Sequence, residues 1–399
     1  MSKLVIIGAS PVSIQLIKQL RDKNFSGDIT LMLFDGFLPY TREVLSTQTN
    51  LDQAQWPLIQ PKEFFDSLKV NVLFDREISR INTSRKKIFT ENKDQLDYDW
   101  LVIAETPKNR FPDIKGVNKE GVFGARKKKD VATVIEKFSF AENIIISSDD
   151  FSGFDLACYF AQKRSDVVLV QSSHGFFTEM FSAEILEWLQ ARLREKRITL
   201  EIANVVQEVL GDMEVKAVRL ASGKVYAGEV VIFDGLAEDL RLFYDSAIEM
   251  KDQVVVNEFF QTTESSIFAL DEVGLVRGSK KNHHGVSNEY LAHQANVAAE
   301  HILAREQGQE VAGNITYSSP FSKHIFKLGD FEFSFLGDCV HAPNIEVSEI
   351  LDKEQNQYRK SFMSNGILVG AILINYQKDL DKYLNSIGKE VNVIFEKAS

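Results

Sequence analysis

The sequence is poor in cysteine and lacks any CxxC pair. Its two cysteines, Cys158 and Cys339, lie far apart in the 399-residue chain. This excludes a dithiol redox centre and a cysteine-rich metal site. His283 and His284 are adjacent, and backbone neighbours rarely point at one metal. We therefore expect no metal site.

Basic charge and long apolar runs are also scarce. The chain carries 46 Lys and Arg against 57 Asp and Glu, a net charge of −11, which argues against nucleic acid or an anionic membrane as a main partner. No apolar run approaches the roughly 20 residues that span a bilayer. The chain opens with a strand-like run at Lys3–Ile7 rather than a signal peptide, which predicts a cytoplasmic location. No GxSxG motif occurs, so a hydrolase triad has no support.

What the chain does contain is the pattern of an α/β protein. A length of 399 residues predicts two or three domains. The apolar run Lys3–Ile7 ends at Gly8, a helical pattern follows, and Ile29–Phe34 is a second strand that ends at Asp35. This order of strand, glycine turn, helix, strand and acid is typical of a nucleotide-binding βαβ unit.

A second βαβ unit follows near residue 143. Asn143–Ile146 and Asp166–Val170 are predicted strands on either side of the predicted helix Phe154–Gln162. Two such units indicate two nucleotide-binding domains. Beyond them, the predicted antiparallel strands are Ile198–Ile202, Val215–Leu220 and Lys224–Tyr226, with a turn at Ser222 and Gly223.

The last part of the chain has a different pattern. From about residue 313, alternating strands are predicted, and the helix Leu380–Ile387 follows them. The predicted fold class is α/β, with two Rossmann-like three-layer domains and a small C-terminal α+β domain.

The first glycine loop matches the GxGxxG motif at only one of its three glycines. Gly8 keeps the first glycine, while Ser10 and Ser13 stand at the other two positions. A serine hydroxyl is small and can bond phosphate, so diphosphate binding at the helix N-terminus stays possible. Asp35 could accept hydrogen bonds from ribose. The alternative is a Rossmann-like fold without a ligand.

Several stretches match the motifs of one family in the right order. Leu38–Ser46 reads LPYTREVLS and Tyr98–Ala104 reads YDWLVIA. The further stretches are Gly121–Phe123, Ile267–Val273, His293–Leu303, Tyr358–Lys360 and Gly366–Leu373. Together they resemble FAD- and NAD(P)H-dependent reductases of the pyridine-nucleotide oxidoreductase superfamily. The branch they resemble holds the rubredoxin reductases and the nitrite reductase large subunits.

The resemblance implies domains, cofactors and a reaction. The FAD-type domain would comprise residues 1–112 and 235–312, the NAD-type domain residues 113–234, and the C-terminal domain residues 313–399. Hydride would pass from NAD(P)H to FAD, and electrons would then pass to a small iron protein or another acceptor. FAD would bind through Gly8, Ser10, Ser13, Asp35, Arg42 and Glu272.

The second glycine loop departs furthest from this family. The family reads GGGFIG here, which contains the GxGxxG motif. Of the three glycines of that motif, Ser148 replaces the first and Asp150 the second, and only Gly153 remains. Asp149 and Asp150 place carboxylates where a diphosphate would lie. Like charges ~4 Å apart cost about 4 kcal/mol at an effective dielectric near 20, more than the roughly 0.3–2 kcal/mol from a helix N-terminus. We therefore expect impaired NAD(P)H binding; an alternative interpretation makes both acids helix caps.

The flavin motifs depart as well. The family's ATG becomes Ala104–Thr106, with Glu105 at its centre, and Asp271 and Glu272 replace the glycine and aspartate of its AGDV. Asp271 is expected to crowd the flavin phosphates, while Glu272 keeps a carboxylate for the ribityl chain.

Two hypotheses follow. The first is an FAD-binding protein that passes electrons to or from a protein acceptor and uses NAD(P)H poorly. It would work with a redox partner or in a larger complex, as an oligomer or subunit. The second is a non-catalytic pseudoenzyme, a structural or regulatory subunit that binds neither FAD nor NAD. No side chain is predicted to be a general base, because hydride transfer to flavin requires none.

Overall fold

A computed structural model gives the structure of the chain. It describes residues 1–34, 36–40, 46, 58–106, 109–125, 128–138, 140–234, 237–238, 240–244, 246–251, 253–278, 288–309, 323–337, 339 and 344–390. Among these residues, no helix combines the length and the apolar character needed to cross a bilayer.

The elements follow one another along the chain in three parts. The first part contains β1 (Lys3–Ile7), α1 (Pro11–Asp22), β2 (Asp28–Met32), α2 (Lys62–Ser67), β3 (Val70–Leu73), β4 (Ile78–Asn82), β5 (Lys87–Thr90), β6 (Gln95–Asp97), β7 (Trp100–Ile103) and β8 (Asn109–Arg110). The middle part contains β9 (Val122–Gly124), α3 (Lys128–Phe138), β10 (Asn143–Ser147), α4 (Phe151–Gln162), β11 (Asp166–Val170), α5 (Phe176–Met180), α6 (Ala183–Glu195), β12 (Ile198–Glu201), β13 (Val206–Leu210), β14 (Ala217–Leu220), β15 (Val225–Ala227), β16 (Val230–Phe233) and β17 (Ala237–Glu238). The last part contains β18 (Val254–Val256), β19 (Ile267–Ala269), β20 (Gly274–Val276), α7 (Asn288–Glu306), β21 (Lys323–Leu328), β22 (Phe331–Gly337), β23 (Glu346–Asp352), β24 (Gln357–Ser364), β25 (Ile367–Ile374) and α8 (Leu380–Ser386). Short 3₁₀ helices span Leu240–Phe243 and Gln377–Asp379.

The first sheet is parallel, in the order β19-β7-β1-β2-β3. Its central strands are apolar on both faces, as strands covered on two sides must be. α1 lies beside this sheet; Ser10 is its N-cap and Pro11 its first residue, a position where proline costs no hydrogen bond.

The second sheet is also parallel, in the order β12-β11-β10-β16-β9. Successive residues of β10 alternate between its two faces: Ile144 and Ile146 belong to one hydrophobic core, and Ile145 to another. The predicted antiparallel pairing of Ile198–Ile202 is wrong. That segment, β12, follows the long helix α6, and a helical crossover returns the chain parallel to the preceding strand.

The C-terminal sheet is antiparallel, in the order β21-β22-β25-β24-β23. One of its faces shares a core with α4 of the second domain, where Phe154 packs edge-on against Phe333 at a centroid distance of 4.9 Å. The predicted α/β class, with two parallel sheets and a small C-terminal domain, is confirmed. The predicted domain boundaries stay a prediction.

Candidate functional site

The first candidate site lies at the carboxyl edge of the first sheet. Gly8 directly follows β1, and Glu105 and Asp271 each come two residues after the end of a strand, β7 and β19 respectively. These three strands are neighbours in the order β19-β7-β1. The carboxyl ends of parallel strands meet at one edge, and ligands of open α/β sheets bind in the crevice there. The fold therefore brings these residues together around the N-terminus of α1.

Gly8 makes the tight turn that the sequence predicts. Its φ is +109°, a left-handed conformation that favours glycine, and a Cβ there would lie 2.4 Å from the Cβ of Glu105. The loop is braced from within, because the buried Ser13 hydroxyl donates to the Gly8 carbonyl at 3.0 Å. Ser13 thus stabilises the turn with its hydroxyl.

Two carboxylates accept hydrogen bonds from donors of this loop. The Ala9 N–H donates to Oε2 of Glu105 at 3.0 Å, and the Ser10 hydroxyl donates to the carboxylate of Asp271. Ser10 Oγ also accepts from the Val12 N–H at 3.2 Å, which caps α1. Both carboxylates lie where the helix dipole favours negative charge.

Asp271 is held by its backbone. Its φ is +56°, and its N–H donates to Oε1 of the buried Gln294 at 2.7 Å. The neighbouring Glu272 is exposed, and its carbonyl accepts a hydrogen bond from Gln253. Asp35 and Arg42, which the sequence also predicts to bind cofactor, lie outside the described residues.

The second candidate site has the same position in the second sheet. Ser148 follows β10, Ser172 follows β11 and Asp234 follows β16, again three neighbouring strands. The buried Asp234 carboxylate accepts from Ser148 Oγ at 3.4 Å and from the hydroxyl of Ser152. The loop hydroxyls are therefore turned into the protein.

The remaining acids of this loop have different roles. Asp149 accepts from both the N–H and the hydroxyl of Ser172, each at 2.7 Å. Asp150 is the N-cap residue of α4, but its side chain makes no capping hydrogen bond, and its N–H donates to Ser148 Oγ at 3.1 Å. Asp150 therefore takes the N-cap position that the cap interpretation gives it, without a side-chain capping bond, whereas Asp149 does not cap α4. The Asp149 carboxylate is directed to Ser172 on the loop after β11 and not to the amides of α4.

Gly153 keeps the role of the third glycine. A Cβ there would lie 2.2 Å from the Cβ of Ser148, so only glycine lets α4 approach β10 this closely.

A C-terminal strand reaches the start of the same helix. The ring of His324 in β21 stacks on Phe151, the first residue of α4, at a centroid distance of 5.3 Å and an interplanar angle of 22°. Burial lowers the pKa of His324 below its ordinary value. The His324 Nε2 has no hydrogen-bond partner among the described residues.

A third set of contacts joins the domains at Ser46. The Ser46 N–H donates to Oδ1 of Asp155 at 2.8 Å, and its carbonyl accepts from Gln162 at 3.0 Å. Ser46 Oγ accepts from the Lys327 N–H of β21 at 3.3 Å. Ser46 is thereby attached to both α4 and the C-terminal sheet.

Sequence reasoning missed several of these contacts. It named Glu105 and Asp271 as departures from a motif but did not pair them with Ala9 and Ser10, and it overlooked Asp234. A signal was available, because each of these acids directly follows an apolar run, and the carboxyl ends of parallel strands meet at one edge of a Rossmann-type sheet.

Comparison with known proteins identifies the family. Residues 2–295 match the family model of the pyridine nucleotide-disulphide oxidoreductases, and residues 324–391 match the rubredoxin NAD⁺ reductase C-terminal domain. Members of the first family are NAD(P)H-dependent flavin oxidoreductases that use FAD.

Individual relatives agree with this assignment. Apoptosis-inducing factor 3 of Homo sapiens is 26% identical over 312 residues, 76% of this chain and 51% of the relative. The assimilatory nitrate reductase electron transfer subunit of Bacillus subtilis (strain 168) is 20% identical over 407 residues, 99% of this chain and 50% of the relative. The chain thus spans about half the length of these curated relatives.

A solved structure has the same fold. A ferredoxin reductase from Rhodopseudomonas palustris superposes with a TM-score of 0.77 at 18% identity, covering 98% of this chain and 96% of that one. Because its family model covers well over half of the chain, this protein belongs to the pyridine nucleotide-disulphide oxidoreductase family.

Proposed function

We propose that this protein is a flavin-dependent electron-transfer reductase with impaired NAD(P)H binding. It binds FAD at the first loop and passes electrons to or from a protein acceptor. The proposal is supported by the family membership and by similar proteins named as a nitrate reductase electron transfer subunit and as a ferredoxin reductase. The observation that carries it is the contrast between the two loops.

The first loop has a donor set that fits a diphosphate. The Ala9 N–H and the Ser10 hydroxyl already bind anionic oxygen atoms at the N-terminus of α1. These donors and their carboxylate partners are half-buried rather than sealed. Phosphate oxygens can therefore take the same donors when Glu105 and Asp271 turn away.

The second loop does not fit a diphosphate. Ser148 and Asp234 are only 4% and 5% exposed, so their contact lies inside the protein. Asp150 places a further carboxylate at the N-cap itself. A diphosphate would meet negative charge there and hydroxyls already bonded to Asp234, so we derive no step through NAD(P)H at this position.

The residues of the first domain would hold the flavin, and the flavin would supply the redox chemistry. Gly8 sets the turn that lets backbone approach the diphosphate, the Ala9 N–H and the Ser10 hydroxyl bind its oxygen atoms, and Ser13 braces the loop. With NAD(P)H use impaired, a protein partner would deliver or remove electrons. A cytoplasmic location and an oligomeric or subunit state stay predictions.

A second candidate function is that of a non-catalytic pseudoenzyme, a structural or regulatory subunit. One observation favours it: the donors of the first loop are bound by the chain's own oxygen atoms, as a ligand-free fold would need. The Rossmann-type sheets would then serve as a scaffold alone.

The test is spectroscopic. We expect the purified protein to absorb at about 450 nm as oxidised flavin does, or to gain this band when FAD is added. Under anaerobic conditions dithionite should bleach the band, while micromolar NADH should leave it largely intact. The variant Ser148→Gly/Asp150→Gly, which restores two glycines, should respond to NADH more strongly than the wild type.

Asp212→Asn is the control, since it removes one exposed acid of the second domain and should leave the NADH response unchanged. Bleaching of the wild type by micromolar NADH would refute the impaired site. A colourless protein that takes up no FAD would refute the flavin proposal and leave the pseudoenzyme.

A further inference from the structure

Glu105 and Asp271 bind the donors on which the first loop depends. Glu105 Oε2 lies 3.0 Å from the Ala9 nitrogen, and the Asp271 carboxylate accepts from the Ser10 hydroxyl. Ala9 and Ser10 are consecutive residues at the start of α1. The two carboxylates therefore lie side by side at the place where the family fold presents donors to a diphosphate.

The fold positions both acids. The backbone of Glu105 passes directly over Gly8, since a Cβ on Gly8 would lie 2.8 Å from the Glu105 nitrogen. This proximity allows the Glu105 side chain to reach Ala9. The Asp271 backbone is fixed by Gln294, which accepts its N–H at 2.7 Å. Its left-handed φ of +56° is one that aspartate tolerates better than most residues.

Both contacts are charge-assisted and sit at a helix N-terminus. Hydrogen bonds to a carboxylate are stronger than neutral ones, and negative charge is stabilised at this end of a helix. A diphosphate would need the same donors and would carry the same sign of charge. It cannot bind the Ala9 N–H and the Ser10 hydroxyl while the carboxylates hold them.

We propose that Glu105 and Asp271 set the affinity for FAD by competing with its diphosphate for the donors of the first loop. This inference rests on the proposed function, in which FAD binds at that loop. FAD binding then requires both side chains to turn out toward solvent, which their half-buried positions permit. The carboxylates stabilise the loop of the free protein and weaken its hold on the cofactor.

The decisive variant is Glu105→Gln/Asp271→Asn, which removes both charges and keeps side-chain size and the left-handed turn. The apo protein is titrated with FAD, with ADP, and with riboflavin, which lacks the diphosphate. We expect the Kd for FAD and for ADP to fall by about tenfold or more, since each lost carboxylate removes a charged competitor. The Kd for riboflavin should be unchanged.

The free protein should respond in the opposite sense. The same variant is expected to melt at a lower temperature than the wild type in the absence of ligand, because the helix N-terminus loses its anions. Glu258→Gln is the matched control: it removes one exposed charge and should shift neither the FAD affinity nor the melting temperature. A second variant, Glu105→Thr/Asp271→Gly, removes the competing side chains altogether and should bind FAD at least as tightly.

The outcomes separate this inference from the proposed function. If the wild type binds FAD as tightly as both variants, the competition is refuted and the proposed function stands. If the variants bind FAD and the wild type does not, the competition stands and the proposed function fails for the natural chain. If riboflavin gains affinity as much as FAD does, or if no form binds FAD, the competition is refuted.

Discussion

Gly153 allows α4 to pack closely against Ser148 because it has no side chain. A Cβ at this position would lie 2.2 Å from Ser148 Cβ and 2.4 Å from Ser148 Oγ. Ser148 is itself buried and bonded to Asp234, so it has little room to move.

We therefore expect Gly153→Ala to lower the free energy of unfolding by about 1–3 kcal/mol, as overpacking does. Urea denaturation measures the change. Adding Ser148→Gly removes the atoms in the way, so the double variant should recover much of the loss. If both changes destabilised additively, the steric explanation would be wrong.

The partners of the site acids could not be predicted from the sequence. The sequence pattern locates the tight turn at Gly8 and the close helix approach at Gly153, because both leave a local signature. Glu105 and Asp271 lie 96 and 261 positions from Ala9 and Ser10. Only strand order, a long-range property of the sheet, brings them together.

At the scale of elements, α4 is buried on nearly all sides between the second sheet and the C-terminal sheet. Its apolar sequence is what allows this, since a helix in contact with two sheets has no polar face to keep. The sequence predicts the helix but begins it at Phe154, three residues late, because Phe151 to Gly153 fit the pattern of a loop. The strand β12 was mispaired for a similar reason: alternation reveals a strand but not its direction.

His324 on β21 makes the stability of the contact between α4 and the C-terminal sheet depend on pH. Burial lowers its pKa below the ordinary 6.5. As the pH falls through 6.5, the unfolded chain takes up a proton on this histidine and the folded chain does not, so stability present above that pH is lost below it. His324→Phe removes this proton uptake.

We expect His324→Phe to be more stable than the wild type at pH 5.5, by a margin that shrinks toward pH 8. Thermal melts at both pH values check this. The exposed His174, changed to Gln, should show no such margin. A difference between His324→Phe and wild type that does not vary with pH would exclude the titration of His324 as its cause.

At the scale of the whole molecule, Ser46 connects the three domains through its bonds to Asp155, Gln162 and Lys327. Asp155→Ala leaves the buried Ser46 N–H without this acceptor. We expect it to lower the free energy of unfolding by about 1–3 kcal/mol.

Two measurements test these contacts of Ser46: urea denaturation, which gives the stability, and hydrogen exchange of the Ser46 amide in the folded protein. Asp155→Asn keeps an acceptor oxygen and should lose less stability than Asp155→Ala. Equal losses in the two variants, with unchanged exchange at Ser46, would show that the junction does not depend on this bond.

The order of the first sheet has a consequence for synthesis on the ribosome. β7 ends at Ile103, yet the strand beside it, β19, begins only at Ile267. The intervening residues include the whole second sheet, which can pair completely before β19 has been translated. While the middle domain folds, the β7 edge of the first sheet therefore has no partner strand. The first domain begins to emerge from the ribosome before the middle domain but is completed after it.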